Sequence, residues 1–377
     1  MFQVQAPLQA GQTRRRLATI LLSACLVLIA LPATAVSAPS PKKAIWGPVR
    51  RNGVSQFPIY HDLGAGIYLT DLNWAAIAPS RPRSPMNPAD RRYHWPAELD
   101  YAIREGRRYG IQVAIVLSGA PRWANGHRDW RWAPRRPSDF ARFAYAASKR
   151  YRSVRHWMIW GEPTRRRNFR PLLPERRGHP LTRRMRRGPH IYAQLLDSSY
   201  AALKRRSRRN LVIGGDSFTT GDVSPLNWIR NLRLPNGRPP RMDMYGHNPF
   251  TARRPLLGGP PLGDGFADFC DLPRLARWVD RYLGRPRGRR QMKLFLSELF
   301  WPTDHPNWEF NFWVDRSTAA LWLSDALRAT RSWSRIYTLG WFSLYDDPPR
   351  PGGDEVNRGL LTFDGQKKPA YFAYQRG

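Results

Sequence analysis

The chain alternates two kinds of segment along almost its whole length, and that alternation limits its fold more than any other feature. Short runs rich in β-branched and aromatic residues recur at 66–70, 111–117, 155–160, 211–214, 242–246, 293–297 and 336–341, with a weaker run at 44–49 ahead of them. Helical patterns lie between the runs. Residues 98–108 carry Leu99, Ala102 and Ile103 at helical spacing, and Gly110 follows as a stop signal. Residues 139–150, 192–206, 271–283 and 316–331 read the same way. Ser138 and Asp271 are N-cap types, whose side-chain oxygens accept otherwise unpaired backbone N–H groups. Eight strands, each followed by a helix or loop, predict a (β/α)8 TIM barrel in a single domain. A doubly wound open sheet is the structural rival, and it would carry a glycine-rich phosphate loop after its first strand. No such loop, Walker sequence, HExxH motif or fixed-period repeat is present.

The 377 residues, 42% of them hydrophobic, suffice for a sizeable core and exclude a disordered chain, a fibrous repeat and a multi-pass membrane protein. The charge is far from balanced. There are 62 Lys+Arg, of which seven are lysine, against 28 Asp+Glu, for a formal net charge of +34. Such a surface attracts polyanions such as nucleic acid, anionic lipid or acidic glycan; an arginine excess that is merely solvated is an equal reading. The first 38 residues have the layout of a secretory signal peptide: Arg14, Arg15 and Arg16, an apolar run over 17–31, then Val36-Ser37-Ala38 with small residues at a cleavage site. The expectation is a secreted protein whose domain spans 39–377, with an uncleaved anchor or a lipoprotein box at Cys25 as lesser readings. Cleavage leaves Cys270 alone, so no internal disulfide is expected.

Two glutamates stand at strand ends. Glu162 follows the fourth strand in Trp160-Gly161-Glu162-Pro163, and Glu298 follows the seventh in Leu296-Ser297-Glu298. Alternation groups His156, Met158, Trp160 and Glu162 on one face, and Leu294, Leu296 and Glu298 on one face. If those faces point inward, both carboxyls meet at the C-terminal mouth, where barrel enzymes keep their chemistry. Two such groups suit glycosidic cleavage: one protonates the leaving oxygen and the other attacks or stabilises the anomeric carbon. Either glutamate alone reads more simply as a surface residue or an arginine-paired one.

At these residues the chain resembles the clan A glycoside hydrolases, close to the cellulase-like family 5 and family 39 enzymes of secreted bacterial type. The resemblance runs over about 57–374 and rests on Thr70-Asp71-Leu72-Asn73-Trp74, Gly119-Ala120-Pro121-Arg122-Trp123, Trp160-Gly161-Glu162-Pro163, Gly246-His247-Asn248-Pro249, Leu296-Ser297-Glu298 and Lys368-Pro369-Ala370-Tyr371. It implies that Glu162 is the acid/base, Glu298 the nucleophile, and that configuration is retained. It also implies a raised pKa for Glu162 and a carboxyl separation of about 5–5.5 Å. The clan usually has Asn before the acid/base, bonding the sugar 2-hydroxyl; here that position is Gly161. Asn73, Asn125 and Asn248 are the candidates to replace it.

His247 is a candidate site residue, with a satisfied buried histidine as the rival reading. Trp74, Trp123, Trp301 and Trp341 follow or end strands and suit sugar stacking, Trp341 most of all, although core packing explains most of the 16 tryptophans. Asp71, Asp216 and Tyr245 are weaker candidates. The eight histidines show no metal-ligand spacing, so neither metal nor cofactor is expected. The segment 164–190, beside Glu162, holds ten arginines and one glutamate. It reads either as a clamp for an acidic glycan or as a solvated basic loop. The expected partner is a carbohydrate. The alternatives are a non-catalytic polyanion- or glycan-binding protein on a decayed barrel, and a nucleic-acid-binding protein suggested by charge alone and lacking any recognised module.

Overall fold

Strands covered on both faces read as continuous apolar runs, and here they pair side by side into one closed parallel sheet. The computed structural model describes residues 39–284 and 291–377, so the expected signal peptide lies outside the described residues. Numbered in barrel order, the strands are β1 Ser40–Trp46, β2 Ala65–Asn73, β3 Gln112–Ser118, β4 His156–Ile159, β5 Leu211–Phe218, β6 Met244–Asn248, β7 Lys293–Leu299 and β8 Ile336–Trp341. The ring closes where β1 pairs with β8 at Ile45 and Trp341 and with β2 at Trp46 and Leu69. A helix follows every strand: Phe57–Asp62, Ala97–Arg108, Pro137–Arg150, Arg187–Arg206, Pro225–Asn231, Leu272–Tyr282, Arg316–Ser332 and Pro369–Arg376. This is the (β/α)8 barrel that the alternation predicts.

The boundaries differ from expectation for local reasons. The first strand stops at Trp46, short of 49, since Pro48 has no N–H to give a ladder. β2 runs on to Asn73, which pairs with Ser118 and carries polar residues to the mouth. The Asn73 Oδ1 then accepts the N–H groups of Ala75 and Ala76, which turns the chain into a short helix. Ser138 does not cap its helix: the helix starts at Pro137, a residue suited to a first turn, with Arg136 at the cap. Asp271 makes no cap bond either. Asp268 accepts the N–H groups of Cys270 and Asp271 and opens a 3-10 turn there.

Two apolar layers result. Ala44, Ile67, Ala114, Val116, Met158, Ile213, Met244 and Phe295 fill the barrel, while Ile45, Tyr68, Ile115, Trp157 and Leu296 pack outward against the helices. On β4 the inner face is the expected one. On β7 it is the reverse: Leu294 and Leu296 point outward and Phe295 points in. Glu298 therefore does not share a face with Leu294 and Leu296. A register shift where Leu339–Trp341 of β8 meets Leu296–Leu299 brings both Ser297 and Glu298 to the mouth. At the other end His156, Phe295 and Tyr337 cluster and close the barrel, with His156 Nε2 2.8 Å from the Tyr337 hydroxyl. Cys270 is buried and unpaired. Among the described residues, no helix is long and apolar enough to cross a membrane.

Gly340 shows how tightly the mouth is packed. A Cβ there would lie 2.1 Å from the carbonyl oxygen of Ser297, a backbone atom that cannot swing aside. Gly340→Ala should cost about 1–3 kcal/mol, the usual range for overpacking. Gly161→Ala should cost far less, because its Cβ would meet only Val116 Cγ1, at 3.6 Å. Denaturant midpoints of the two variants check this; equal midpoints would contradict it.

Candidate active site

Three backbone exceptions shape the mouth. Trp160, Glu162 and Asp216 have φ of +64°, +44° and +33°, a region that non-glycine residues seldom occupy. Such strain persists only where surrounding contacts hold it. Trp160 is wedged against Phe140 and Phe169, and its indole donates to the Asn168 carbonyl at 2.9 Å. The Glu162 N–H donates to Oδ2 of buried Asp216 at 3.0 Å. The turn between them ends the strand alternation and presents the Glu162 side chain to the mouth.

A cavity of about 300 Å³ opens there, and Glu162 and Glu298 both line it, with Asp71, Asp216, Trp46 and Phe342 among its other walls. Three N–H donors converge on Glu162: Arg165 Nη1 at 2.8 Å and Asn168 Nδ2 at 3.0 Å on Oε2, and Asn248 Nδ2 at 3.0 Å on Oε1. These are the contacts of a carboxylate. Among the described residues no group hydrogen-bonds the Glu298 side chain. Burial pushes its carboxyl well above the ordinary range, and the neighbouring carboxylates of Glu162, Asp216 and Asp71 push it further, against the pull of Arg165. The carboxyl raised by its surroundings is thus that of Glu298, whereas the resemblance implies a raised Glu162. Asp71 stands open to the cavity's solvent, yet the surrounding protein raises it to about 6.

A proton can be located by counting. The Ser297 hydroxyl lies 2.8 Å from Asp216 Oδ1 and 2.5 Å from Asn248 Oδ1. One hydroxyl proton cannot serve two acceptors. The chain closes if Asp216 is protonated: its O–H donates to Ser297, Ser297 to Asn248, and Asn248 to the Glu162 carboxylate. Burial agrees, raising Asp216 to about 7, with Glu162 and Asp71 contributing. Asn248 is fully buried within this chain rather than free for ligand.

The other sequence candidates sit elsewhere. Trp74 is buried in the outer layer against Trp123, Phe140 and Phe143. Trp123 donates its indole N–H to the Ala78 carbonyl beneath the Arg81 guanidinium. Trp341 pairs with Leu299 and Ile45 on the outward face and packs on Trp301. None of these lines the cavity, because each falls on the helix side of the sheet or beyond a strand end. His247 is fully buried between the Ser217 hydroxyl at 2.8 Å and the Ala267 carbonyl at 3.0 Å, and burial lowers it to about 4. Asn125 is spent on Ala120, Arg128 and Asp129 backbone groups. The aromatic walls are instead Trp46, Trp130, Trp160 and Phe342. Trp46 and Phe342 lie at the ends of β1 and β8, so position on the barrel was the signal that could have found them. Asn168 and Trp130 lie in loops, and nothing in the sequence singles them out. Among the described residues no cluster of His, Cys, Asp and Glu could hold a metal ion.

The position of the Asp216 proton has a consequence for stability. A buried acid raised from 3.8 to about 7 binds its proton more tightly folded than unfolded. Its stabilising contribution is present below about pH 4 and is lost as pH rises through about 7, with a ceiling of about 4 kcal/mol. Asp216→Asn keeps both bonds, since an amide oxygen can accept from Glu162 N–H and its NH2 can donate to Ser297. The variant's melting temperature should fall less than that of the wild type between pH 4 and pH 8. Parallel curves would mean that Asp216 does not carry the proton.

No protein-family model matches the chain, and no curated protein matches its sequence. Solved structures do. A family 39 glycoside hydrolase from the gut symbiont Bacteroides cellulosilyticus WH2 superposes with a TM-score of 0.65 at 17% identity, covering 90% of this chain and 63% of that one. A glucosidase from Croceicoccus marinus gives 0.60 at 14%, covering 90% and 66%. A monomeric β-xylosidase from Caulobacter crescentus CB15 gives 0.58 at 15%, covering 90% and 69%. The chain spans less than two thirds of the length of the first two. At these identities the likeness is one of fold: the chain has the barrel that these glycoside hydrolases have.

Proposed function

We propose that the chain is an exported, retaining β-glycoside hydrolase that acts on a carbohydrate through Glu162 and Glu298. One observation carries the reading: the two glutamates, from β4 and β7, line the same cavity at the C-terminal mouth of the barrel. A decayed, merely binding barrel has no need of that pair. The leader-like first 38 residues support export.

In this reading Glu162 protonates the leaving oxygen while Glu298 attacks the anomeric carbon and forms a glycosyl ester. Glu162 then takes a proton from the water that hydrolyses the ester. The Asn248 amide and the Arg165 guanidinium hold the Glu162 carboxyl in place for both steps. What the cycle requires is one proton shared by the reacting pair. Asn73 lines the cavity with its Oδ1 already used in capping, which leaves its NH2 for a sugar hydroxyl in place of the amide missing at Gly161. The donors on Glu162 and the raised carboxyl of Glu298 support a second reading with the same chemistry and exchanged roles, Glu298 the acid and Glu162 the nucleophile.

Alanine variants separate the two. With Glu162 as acid/base, Glu162→Ala should lower kcat/KM on glycosides with poor leaving groups by about 10²–10⁴-fold, the usual worth of a general acid. It should leave the first step on an activated aryl glycoside nearly intact. Glu298→Ala should abolish turnover of both. The mirror-image pattern establishes the exchanged roles. Equal loss on both substrates from both variants would void the division of roles, and a wild-type protein that hydrolyses neither substrate would defeat the hydrolase reading.

A further inference from the structure

Beside the catalytic mouth lies a second, wider cavity of about 680 Å³. Its wall is largely arginine: Arg131 from the loop after β3, and Arg165, Arg166, Arg167, Arg170 and Arg177 from the segment after β4. That segment is anchored, as a merely solvated loop would not be. Phe169, Leu172 and Leu181 are buried, Phe169 against Trp160 and Tyr192. The backbone of Arg170 is tied to the neighbouring loop, its N–H donating to the Arg131 carbonyl at 2.8 Å and its carbonyl accepting from Ala133 at 2.7 Å. The guanidinium groups thus stand on a fixed frame.

Their charge is cancelled only in part from within. Arg131 pairs with Asp129, Arg165 with Glu162 and Arg167 with Glu309. Among the described residues Arg166, Arg170 and Arg177 have no carboxylate partner. Two acids share the cavity wall, held by neutral donors and in ion pairs with none of these arginines, and among the described residues Glu175 Oε1 has no hydrogen-bond partner. Glu175 Oε2 accepts from the Ser224 N–H and hydroxyl and from Asn227, and the Asp222 carboxylate accepts the backbone N–H of Arg166. Collecting like charges in a concavity is unfavourable until an anion enters, and guanidinium forks match carboxylate, sulfate and phosphate oxygens. Arg165 joins the two cavities: its guanidinium bonds Glu162 and stacks 4.2 Å from the ring centre of Phe218 in the arginine-lined wall.

The geometry points to a binding site for the anionic leaving-group portion of an acidic glycan in this arginine cavity. The anionic class follows from the unpaired guanidinium groups. The assignment to the leaving-group side rests on the proposed role of Glu162, since a general acid stands beside the departing oxygen.

The test is equilibrium binding, so it does not depend on catalysis. The probe is an oligogalacturonate of six residues, with its methyl ester as a neutral ligand of the same backbone and a single-stranded oligonucleotide of equal charge as a third arm. The full chain should bind the free acid at least about tenfold more tightly than the ester, and a rise in salt from about 0.1 M to 1 M should remove most of that preference as the screening length falls from about 10 to about 3 Å. Arg166→Ser with Arg170→Ser and Arg177→Ser should abolish the preference while leaving the melting temperature unchanged. Arg104→Ser with Arg107→Ser and Arg152→Ser removes equal charge from exposed positions around a separate cavity and should leave the preference intact. Equal effects of the two triple variants, or equally tight binding of the oligonucleotide through the same arginines, would overturn the proposal. Preferential binding of the free acid by a wild-type protein that hydrolyses no glycoside would instead count against the glycosidase reading alone.

Discussion

Four carboxyls crowd the mouth of this barrel, Asp71, Glu162, Asp216 and Glu298, and one guanidinium, Arg165, opposes them. Like charges at close range in a partly dry cavity cannot all be ionised. The site resolves the conflict by sorting them. Donors gather on Glu162, burial and its neighbours raise the Glu298 carboxyl, and the Ser297–Asn248 chain accounts for a proton on Asp216. A cavity that combines protonated and ionised carboxyls has the parts needed for acid and nucleophile side by side.

The barrel enforces this crowding. Closure brings eight strand ends to one rim, and the apolar filling beneath, from Val116 and Met158 down to Phe295 and Tyr337, keeps water from reaching the carboxyls from below. Trp46 and Gly340 fix the height of Ser297: the Trp46 indole donates to its carbonyl at 2.9 Å, and Gly340 leaves room for that carbonyl. The left-handed turns at Trp160, Glu162 and Asp216 do the final aiming. Strain at three residues of the mouth, each held by a named contact, fixes the directions in which their side chains enter the cavity.

Much of the fold was legible because parallel strands covered on both faces leave long apolar runs and helices leave a 3.6-residue period. The two glutamates were legible because chain order and strand ends locate the mouth of a barrel. The face of β7 was not, since a register shift near Ser297 overrides simple alternation. Nor were the aromatic walls: a tryptophan in the sequence looks the same whether its ring enters the cavity, as in Trp46, or the helix layer, as in Trp341. Proton placement was hidden too. It depends on Arg165, Asn168 and Asn248 converging on Glu162 from three separate places in the chain. The basic segment's anchoring by Phe169 and Leu172 likewise appears only once the barrel gives those side chains somewhere to go.

The central claim is that this carboxyl pair forms and breaks a covalent bond to sugar. It is tested most directly by mass spectrometry of the intact wild-type protein after incubation with activated aryl glycosides fluorinated at C2, which slow hydrolysis of the ester more than its formation. The account predicts one added glycosyl mass, localised by digestion to Glu298 and discharged on transfer to fresh buffer with an acceptor sugar. A protein that hydrolyses the parent glycosides yet never carries the adduct, or carries it on a residue outside the cavity, would contradict it.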